Sequence, residues 1–481
     1  MRMNLMNARH LAYYDLDLMP HATQLSRQPH HTPVLGSHNV NFPSSIPLAE
    51  RSDKNSEIDR LTGLPNQSGF KKQLHTLIAS IHQKKNYNFG LILFDFDYFN
   101  QINTSHGHIV GDHILQTIAS RIKKVLPQEV LLSRLGSDEF AILIPNVSSD
   151  ISLMKIGSLV QQQVSLPLYY RDHIIESNIS AGGAIYPRDI NQDVNIVEAA
   201  DIALCYLKQS GRGGCSIFRS EMLVEQNMIA QQFNRARHIL RHNLVRPFYQ
   251  PKFYLESGKL AGFEALLRWY DEDNQIQLPK LIINAFEDYS LASRLSEKMQ
   301  LNIFKDMASW INQGLQLVPV SINAAPVEFL KDNYAELLLE RLNQFEIPYH
   351  LIEIEITEHL LDDQGKNFIS RALAKLKQNG IRIALDDFGT GHSSLTRLAN
   401  LPVDCLKIDC DFVQRMEQEK FISALVQSVI LMSNNLGIDV VAEGIESQEQ
   451  LELLKQQGCE VGQGFLFSQA LAPENARALL S

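Results

Sequence analysis

Residues 381–388 read Ile-Arg-Ile-Ala-Leu-Asp-Asp-Phe, a short apolar run that ends in Asp386 and Asp387. The same pattern recurs in the second half of the chain, where Glu264, Glu355 and Glu443 each stand near the end of a short apolar run. If these runs are parallel strands, their carboxylates converge at one mouth. Two unit charges about 4 Å apart repel by roughly 4 kcal/mol at an effective dielectric near 20, so five converging carboxylates require divalent cations or strongly shifted pKa values. The pattern therefore predicts a metal-dependent active site.

Eight short apolar segments fill the last part of the chain, about 235 residues in length, and most intervals between them contain a helix-like stretch. This alternation is typical of a (β/α)₈ barrel, whose chemistry lies at the carboxyl ends of the strands. The first interval is too short for a helix, and residues 255–259 have the composition of a turn, which predicts an antiparallel hairpin and a modified barrel. The segments end near Gln250, Glu264, Asn323, Glu355, Asp386, Lys407, Glu443 and Gln463.

Composition restricts the class of protein. A chain of 481 residues predicts two or three domains, and its 44% hydrophobic and 20% charged residues are those of a globular protein without a membrane-spanning run. The net charge of −10 argues against a partner that is a nucleic-acid polymer. Five cysteines without a CxxC pair predict free thiols, and the N-terminus lacks the apolar segment of a signal peptide, so we expect a cytoplasmic protein.

The first half of the chain has a different organisation. Residues 1–50 lack a stable period and are rich in His, Pro, Ser and Asn, which predicts a disordered tail. Residues 51–218 form an α/β domain, with a predicted strand at 91–96, helices at 109–125 and 196–208, and a hairpin formed by 130–135 and 140–144. Residues 219–242 are predicted to be either a connector helix or a packing helix of one domain. The barrel then occupies 243–481.

The motifs of the second half carry a resemblance to a known family. The motifs are, in order, Tyr249-Gln250-Pro251, Glu264-Ala265-Leu266, Ser321-Ile322-Asn323, Glu355-Ile356-Thr357-Glu358, Asp386-Asp387-Phe388-Gly389-Thr390-Gly391, Leu406-Lys407-Ile408-Asp409, Ala442-Glu443-Gly444 and Gln463-Gly464. This ordered set closely resembles the EAL domain of cyclic-di-GMP phosphodiesterases and covers nearly the whole of this half. A lone Glu-Ala-Leu tripeptide would mean nothing.

The resemblance implies hydrolysis of cyclic di-GMP to linear pGpG with two Mg²⁺ or Mn²⁺ ions. Oxygen ligands suit such hard cations. The implied ligands of the metals are Glu264, Asn323, Glu355, Asp386 and Asp387, with Asp386 shared between the two ions. The implied catalytic residues are Glu443 as the general base, Lys407 beside the attacking water or phosphate, and Glu264.

The resemblance also implies residues that surround this centre. Substrate contacts fall to Gln250, Leu266, Arg268 and Gln463. Glu358 is expected to stabilise the loop that begins at Asp386, a loop linked in the family to dimerisation. His392 stands where the family often has Tyr, which leaves every ligand intact. Taken singly, an Asp-Asp pair is usually a solvated turn and a lone lysine is usually on the surface, so the functional interpretation depends on their placement at successive strand ends.

The hairpin sequence Arg134-Leu135-Gly136-Ser137-Asp138-Glu139-Phe140 resembles the GGDEF signature of diguanylate cyclases, whose fold is a nucleotide-cyclase-like α/β sandwich. Further matches to this family run from the Asp59–Asn66 segment to Lys208 and cover the whole domain. By family position, Asp95 and Asp138 would bind Mg²⁺ with Glu139 beside them. Asn103 and Asp112 would recognise guanine, and Lys208 and Arg212 would hold the GTP phosphates.

Three departures from this family indicate a degenerate cyclase site. Ser137 replaces the second glycine of the signature, and we expect its Cβ to cost on the order of 1 kcal/mol in a left-handed conformation. Asn100 stands where a lysine is usual, and Thr104 replaces the aspartate that usually follows Asn103. Pro127 and its neighbours also lack the RxxD product-inhibition motif. We expect GTP binding without efficient cyclisation, or a domain that only dimerises.

Three functional hypotheses follow. The first is a cyclic-di-GMP phosphodiesterase with a degenerate GGDEF domain that binds GTP or dimerises as its regulator, acting as a homodimer. The second is a bifunctional cyclase and phosphodiesterase, because Asp95, Asp138, Lys208 and Arg212 are all present. The third is a non-catalytic receptor for cyclic di-GMP, which the complete set of implied ligands disfavours.

Overall fold

The chain divides into two units between Met228 and Ile229. The computed structural model describes residues 57–81, 88–147, 149–171, 173–191, 194–330, 333–357, 366–388 and 402–481. Within these ranges, no helix combines the length and the apolar character that crossing a bilayer requires. The predicted tail, Glu358 and His392 lie outside the described residues.

The first unit is built around a five-stranded sheet with the strand order β2-β3-β1-β6-β7. Strand β3 is antiparallel to β2 and to β1, and β1 is antiparallel to β6, whereas β6 and β7 are parallel. The elements in chain order are α1 (Gln67–Ile81), β1 (Phe89–Phe96), α2 (Phe99–His106), α3 (His108–Val125), β2 (Leu131–Arg134), β3 (Glu139–Pro145), α4 (Asp150–Ser165), β4 (Leu168–Tyr170), β5 (His173–Ile175), β6 (Ile179–Tyr186), α5 (Ile196–Gln209) and β7 (Gly214–Ile217).

The central strand β1 is buried on both faces of this sheet. Ile92 and Phe94 belong to the hydrophobic cluster that contains α3 and α4, whereas Leu91 and Leu93 belong to the cluster that contains α1 and α5. Successive side chains of a strand point to opposite faces, so a run that is apolar throughout is expected for a strand covered by helices on both sides. This arrangement confirms the predicted α/β sandwich.

The predicted elements of this unit are confirmed with small changes in their bounds. The strand predicted at 91–96 begins two residues earlier, and the helix predicted at 109–125 begins at His108. The predicted hairpin is formed by β2 and β3, which pair with Arg134 opposite Phe140. Asn195 is the N-cap of α5 and forms a capping box, in which its side chain accepts hydrogen bonds from the backbone amides of Val197 and Glu198.

The second unit is a closed barrel with the strand order β8-β9-β11-β12-β13-β14-β15-β16, returning to β8. Helix α6 (Ser220–Arg241) runs across the division at Met228. The elements that follow it in the second unit are β8 (Arg246–Tyr254), β9 (Leu260–Tyr270), β10 (Ile276–Gln277), α7 (Tyr289–Asn312), β11 (Val320–Asn323), α8 (Tyr334–Gln344), β12 (Ile352–Thr357), α9 (Lys366–Gln378), β13 (Arg382–Phe388), β14 (Cys405–Ile408), α10 (Cys410–Arg415), α11 (Lys420–Leu436), β15 (Asp439–Ala442), α12 (Gln448–Gln456), β16 (Val461–Gly462) and α13 (Pro473–Ala478).

The first barrel strand runs against all the others. Strand β8 is antiparallel to both β9 and β16, whereas the successive pairs from β9 to β16 are parallel. The predicted hairpin and the predicted modified barrel are therefore confirmed. Because β8 is reversed, its amino-terminal end lies at the same mouth of the barrel as the carboxyl ends of the other strands.

Alternation along β12 separates the barrel interior from the surrounding helices. Ile352, Ile354 and Ile356 are fully buried in the hydrophobic core, whereas Glu353 and Glu355 occupy the positions between them and are also buried. Since a strand has a period of two, the two glutamates point into the barrel.

The helix at 220–241 is observed as predicted, and its assignment as a connector stays a prediction.

Candidate active site

Strand ends bring the predicted polar side chains to one mouth of the barrel. Glu264 lies in β9, Asn323 ends β11, Glu355 lies near the end of β12, and Glu443 directly follows β15. The five carboxylates and Lys407 are all buried, with exposures of 8% or less: Glu264, Glu355, Asp386, Asp387, Lys407 and Glu443. Charged side chains are almost never buried in this way unless they are paired, so the partners of each one decide what the site can do.

The side chain of Lys407 stands at the centre of this group. This side chain is only 1% exposed, and its ammonium nitrogen has four carboxylate partners. These are Glu355 Oε2 at 2.7 Å, Glu443 Oε1 at 2.7 Å, Asp386 Oδ1 at 3.2 Å and Glu264 Oε2 at 3.6 Å. The structure therefore brings the predicted catalytic lysine and the predicted base into direct contact.

Two amide side chains complete the polar group. Gln463 Nε2 donates hydrogen bonds to Glu264 Oε2 at 2.6 Å and to Glu443 Oε1 at 3.0 Å. Asn323 Nδ2 donates to Glu264 Oε1 at 3.0 Å. The side-chain carbonyl oxygen of Gln463 is buried and accepts no hydrogen bond from the described residues, so it is available to a water or a bound group.

Burial and neighbouring charges shift the pKa values of the acids at the mouth of the barrel. Burial, reinforced by neighbouring carboxylates, raises the pKa of four acids: Glu264, Asp386, Asp387 (to about 8) and Glu443. Burial also raises the pKa of Glu355, but Lys252 and Lys407 outweigh this effect and bring it down to about 2. The site has more carboxylates than cations, and additional positive charge would stabilise it.

The donor set fits hard divalent cations. Carboxylate and amide oxygens are the ligands that Mg²⁺ and Mn²⁺ prefer, and the excess of negative charge gives such ions an electrostatic reason to bind. Within the described ranges, no three of these carboxylates bring oxygens within 4.8 Å of one another, and the ammonium of Lys407 lies among them. The described group with that spacing is Asp409, Cys410 and Asp411, where Asp409 caps α10 by accepting from the Asp411 amide at 2.8 Å.

A backbone irregularity places both members of the Asp386–Asp387 pair in the protein interior. Regular alternation would send them to opposite faces of β13. The pairing of β13 with β14 shifts its register between Leu385 and Phe388, and Asp387 has a φ of 56°, in the left-handed region. The Asp387 amide donates to Asp386 Oδ1 at 3.0 Å, and its carboxyl shares a hydrogen bond with Asp409. A bulge of this kind redirects a side chain next to a site.

The residues predicted to contact substrate line the same face of the barrel. Leu266 and Arg268 follow Glu264 in steps of two along β9, so the three share one side of the strand, and Leu266 and Arg268 are partly exposed. Arg268 Nη1 donates to the Leu267 carbonyl at 3.0 Å. Gln250 pairs with Glu264 across β8 and β9 and donates from Nε2 to the Ser468 carbonyl at 3.4 Å.

Reasoning from the sequence overlooked a second buried lysine in the barrel. Lys252 lies beneath Glu355 and contacts Glu353 and the Ser321 hydroxyl. Its sequence signal is its spacing, because a lysine two residues after Gln250 lies on the same, inner face of β8. Glu353 carries the same signal, since it stands two residues before Glu355.

The GGDEF-like hairpin of the first unit gathers a second acidic group. Asp95 lies opposite Glu139 in the pairing of β1 with β3, and its carboxylate forms an ion pair with Lys208. Burial raises the pKa of Asp95, and burial together with Asp138 raises the pKa of Glu139. The second oxygen of Asp95 is buried and accepts no hydrogen bond from the part of the chain that the structure describes. The structure thus brings together four residues of the predicted nucleotide and metal site.

Three other predicted residues of this unit have different surroundings. The guanidinium of Arg212 packs 5.0 Å from the centre of the Tyr98 ring and lies 3.7 Å from Asp97 Oδ1. The side-chain oxygen of Asn103 is buried and has no hydrogen-bond partner among the described residues. Asp112 is exposed on α3. The proposed contacts of these three residues with GTP stay predictions.

The expected backbone strain at Ser137 was wrong. Among the described residues, the non-glycine residues with positive φ include Tyr98 and Arg212 but neither Ser137 nor any other residue of the hairpin turn. The turn is held because Arg134 Nη2 donates to the Ser137 carbonyl at 2.6 Å. The Ser137 hydroxyl hydrogen-bonds the Asp138 carboxylate, so the substitution changes the partners of a predicted metal ligand rather than the backbone.

Comparisons with known proteins agree with both resemblances. The family described as EAL domain matches residues 230–470, and the family described as Diguanylate cyclase, GGDEF domain, matches residues 56–214. The chain therefore belongs to the EAL-domain family and carries a GGDEF domain ahead of its EAL domain.

Named relatives match this chain over most of its length. The cyclic di-GMP phosphodiesterase PdeR of Escherichia coli (strain K12) is 29% identical over 415 residues, which are 86% of this chain and 61% of that protein. The bifunctional diguanylate cyclase/cyclic di-GMP phosphodiesterase MucR of Pseudomonas aeruginosa is 30% identical over 426 residues, 87% of this chain and 61% of that protein. The chain spans 52% to 61% of the length of the first curated relatives it matches. Among solved structures, the EAL enzyme Bd1971 in its cGMP-bound form matches with a TM-score of 0.52 at 24% identity. The match covers 66% of this chain and 92% of the Bd1971 chain, and it shows a likeness of fold.

Proposed function

We propose that this chain hydrolyses cyclic di-GMP to linear pGpG in its EAL domain, with two Mg²⁺ or Mn²⁺ ions, and that its GGDEF domain is a degenerate regulator. The observation that supports this function is the convergence of four buried carboxylates on the Lys407 ammonium, with Gln463 and Asn323 beside them. A buried acidic group of this size suits a reaction at a phosphate once divalent cations are bound. The relative PdeR, named as a phosphodiesterase for this substrate, supports the choice of reaction.

The residues of the site divide the work of hydrolysis. Glu443 would accept the proton of the attacking water, because its carboxylate is oriented by Lys407 at 2.7 Å and Gln463 at 3.0 Å. Lys407 would contact the water or the phosphate. The water oxygen would form a bond to phosphorus while the opposite bond from phosphorus to O3′ breaks. The leaving O3′ would take up the proton released by the water and become a hydroxyl, and the linear product would keep one terminal 5′-phosphate. Metals held by Glu264, Asn323, Glu355, Asp386 and Asp387 would supply activation of the water and neutralisation of charge on the phosphate.

Incubation of the purified protein with cyclic di-GMP and Mg²⁺ or Mn²⁺ tests this function by chromatography of the products. We expect pGpG from the wild type and none from Glu264→Ala, because Glu264 lies beside Asn323, Gln463 and Lys407. Glu336→Ala is a matched control, since this glutamate is exposed on α8. No turnover by clean dimeric wild-type protein with either metal would contradict the proposal.

A bifunctional enzyme is the second candidate. It is supported by the proximity of Asp95, Glu139 and Lys208 in the first unit and by the relative MucR, which is named as bifunctional. A Glu264→Ala variant would allow any cyclic di-GMP made from GTP to accumulate. Its accumulation would establish the cyclase activity, and its absence would favour the degenerate regulator.

The proposal extends to the setting of the enzyme. We propose a homodimer in the cytoplasm, with GTP as an effector that acts through the GGDEF domain. Light scattering tests the dimer, and calorimetric titration with GTP and Mg²⁺ tests the effector. A receptor that binds cyclic di-GMP without turnover ranks last, and tight binding with no product from the wild type would favour it.

A further inference from the structure

A second lysine lies inside the barrel, below the one in the active site. Lys252 has a side chain that is 5% exposed, and its ammonium nitrogen lies 3.0 Å from Glu355 Oε1, 3.2 Å from Glu353 Oε1 and 2.6 Å from Ser321 Oγ. Glu355 therefore has one oxygen on each lysine, since its Oε2 lies 2.7 Å from Lys407 Nζ. Both lone-pair regions of this carboxylate face a cation.

The reversed direction of β8 explains how Lys252 reaches this position. Gln250 pairs with Glu264 at the mouth, and two residues later Lys252 pairs with Gly262, one layer deeper in the barrel. A parallel strand would carry its later residues towards the mouth, whereas this antiparallel strand carries them away from it. The ammonium group thus approaches Glu355 from below.

Below Lys252, the charged contacts continue towards the far end of the barrel. The Ser321 hydroxyl donates to Glu353 Oε1 at 2.6 Å, and Arg382 Nε donates to Glu353 Oε2 at 3.3 Å. Arg382 Nη2 then donates to Asp439 Oδ2 at 2.6 Å, at a position where the Asp439 side chain is 61% exposed. Lys252 therefore contacts two glutamates with different surroundings. Glu355 is a proposed metal ligand, whereas Glu353 contacts Ser321 and Arg382 on the side of the barrel away from the mouth.

We propose that Lys252 is a positioning residue for the metal site, which orients the Glu355 carboxylate and keeps it from turning towards the barrel interior. The inference deepens the proposed function and rests on it for the role of Glu355. Partners behind the ligands of a metal typically contribute about 10- to 100-fold to metal affinity or activity when they are removed. The alternative is that Lys252 only neutralises Glu353 and supports the fold.

Two variants separate these roles. Lys252→Met removes the ammonium and keeps the length of the side chain, and the double variant Lys252→Met/Glu353→Gln also removes one negative charge, so that the interior keeps its charge balance. Asp439→Asn is the matched control at the exposed end of the series. Mn²⁺ binding is measured directly by electron paramagnetic resonance without substrate, and turnover is measured against Mn²⁺ concentration, with thermal melts as the test of folding.

If Lys252 positions Glu355, the Mn²⁺ dissociation constant rises about 10- to 100-fold in both the single and the double variant, even where the double variant melts like the wild type. Asp439→Asn stays within about twofold of the wild type. Recovery of Mn²⁺ affinity in the double variant would overturn the positioning role, because charge balance alone would then explain Lys252. Weakened Mn²⁺ binding in the variants together with no turnover in the wild type would contradict the proposed function and support the role of Lys252.

Discussion

Replacement of Lys407 by methionine provides the sharpest test of the electrostatics of the site. The substitution removes the ammonium group but keeps an unbranched side chain in a position that is 1% exposed. Four carboxylates lose their common partner, and two of them, Glu355 and Glu443, lose contacts of 2.7 Å. In a chelating buffer no added divalent cation can take the place of the lost charge.

The magnitude follows from these contacts. At an effective dielectric of about 20, each contact of 2.7 Å corresponds to roughly 6 kcal/mol of Coulombic attraction, which the desolvation of Lys407 offsets in large part. Removing one member of a buried ionic group typically costs about 3–5 kcal/mol in the free energy of unfolding. For a unit of this size, such a loss lowers the melting temperature by roughly 6–20 °C.

The dependence on pH has a defined sign. A carboxyl whose folded pKa lies above its unfolded pKa binds its proton more tightly in the folded state, so its contribution to stability falls as the pH rises through that interval. Loss of Lys407 removes a cation that lowers the pKa values of Asp386 and Glu443. We therefore expect the stability deficit of Lys407→Met to be larger at pH 8 than at pH 5.

Differential scanning calorimetry of the full chain in EDTA at both pH values measures this effect. Lys375→Met is the matched control, because Lys375 forms an exposed ion pair with Glu336 and should contribute less than about 1 kcal/mol. A melting temperature for Lys407→Met within about 2 °C of the wild type at pH 8 would refute the electrostatic account of the site.

Three other substitutions test separate parts of the structure. Burial raises the pKa of Glu328 to about 7 from an ordinary 4.5, so this carboxyl destabilises the fold as the pH rises through that interval. Glu328→Gln should therefore stabilise the protein by up to about 3 kcal/mol at pH 8 in urea melts. An equal gain at pH 4 would contradict this reasoning. An added Cβ at Gly464 would lie 2.1 Å from the Ile445 carbonyl oxygen. Gly464→Ala should therefore lower the free energy of unfolding by about 1–3 kcal/mol in urea melts and reduce hydrolysis by displacing Gln463. Unchanged turnover would count against this placement of Gln463. GTP should change the rate of hydrolysis in the wild type but not in Lys208→Ala, and rates that ignore GTP in both proteins would refute regulation through the GGDEF domain.

Local sequence determined much of this protein. The alternation in Ile352–Thr357 specifies a strand with apolar side chains on one face and Glu353 and Glu355 on the other, since side chains alternate with a period of two. The short interval between the first two barrel strands predicts a hairpin, because a parallel connection needs a dozen or more residues. Carboxylates at the ends of apolar runs then indicate a shared mouth, and the ordered motifs indicate the family.

Contacts between distant segments were decided by the tertiary structure. Lys252 is about one hundred residues from Glu353 and Glu355, and no local pattern states which strand will be its neighbour in the barrel. The prediction of strain at Ser137 was wrong because no residue of the described hairpin turn has a positive φ, which is a property of the folded turn and not of a distant contact. The position of Asp387 depends on a bulge that regular alternation does not predict. Where the strands are regular, the sequence by itself determined which side chains point into the barrel. Closure of the barrel decided which of them touch, because register and neighbouring strands bring together charges that are far apart along the chain.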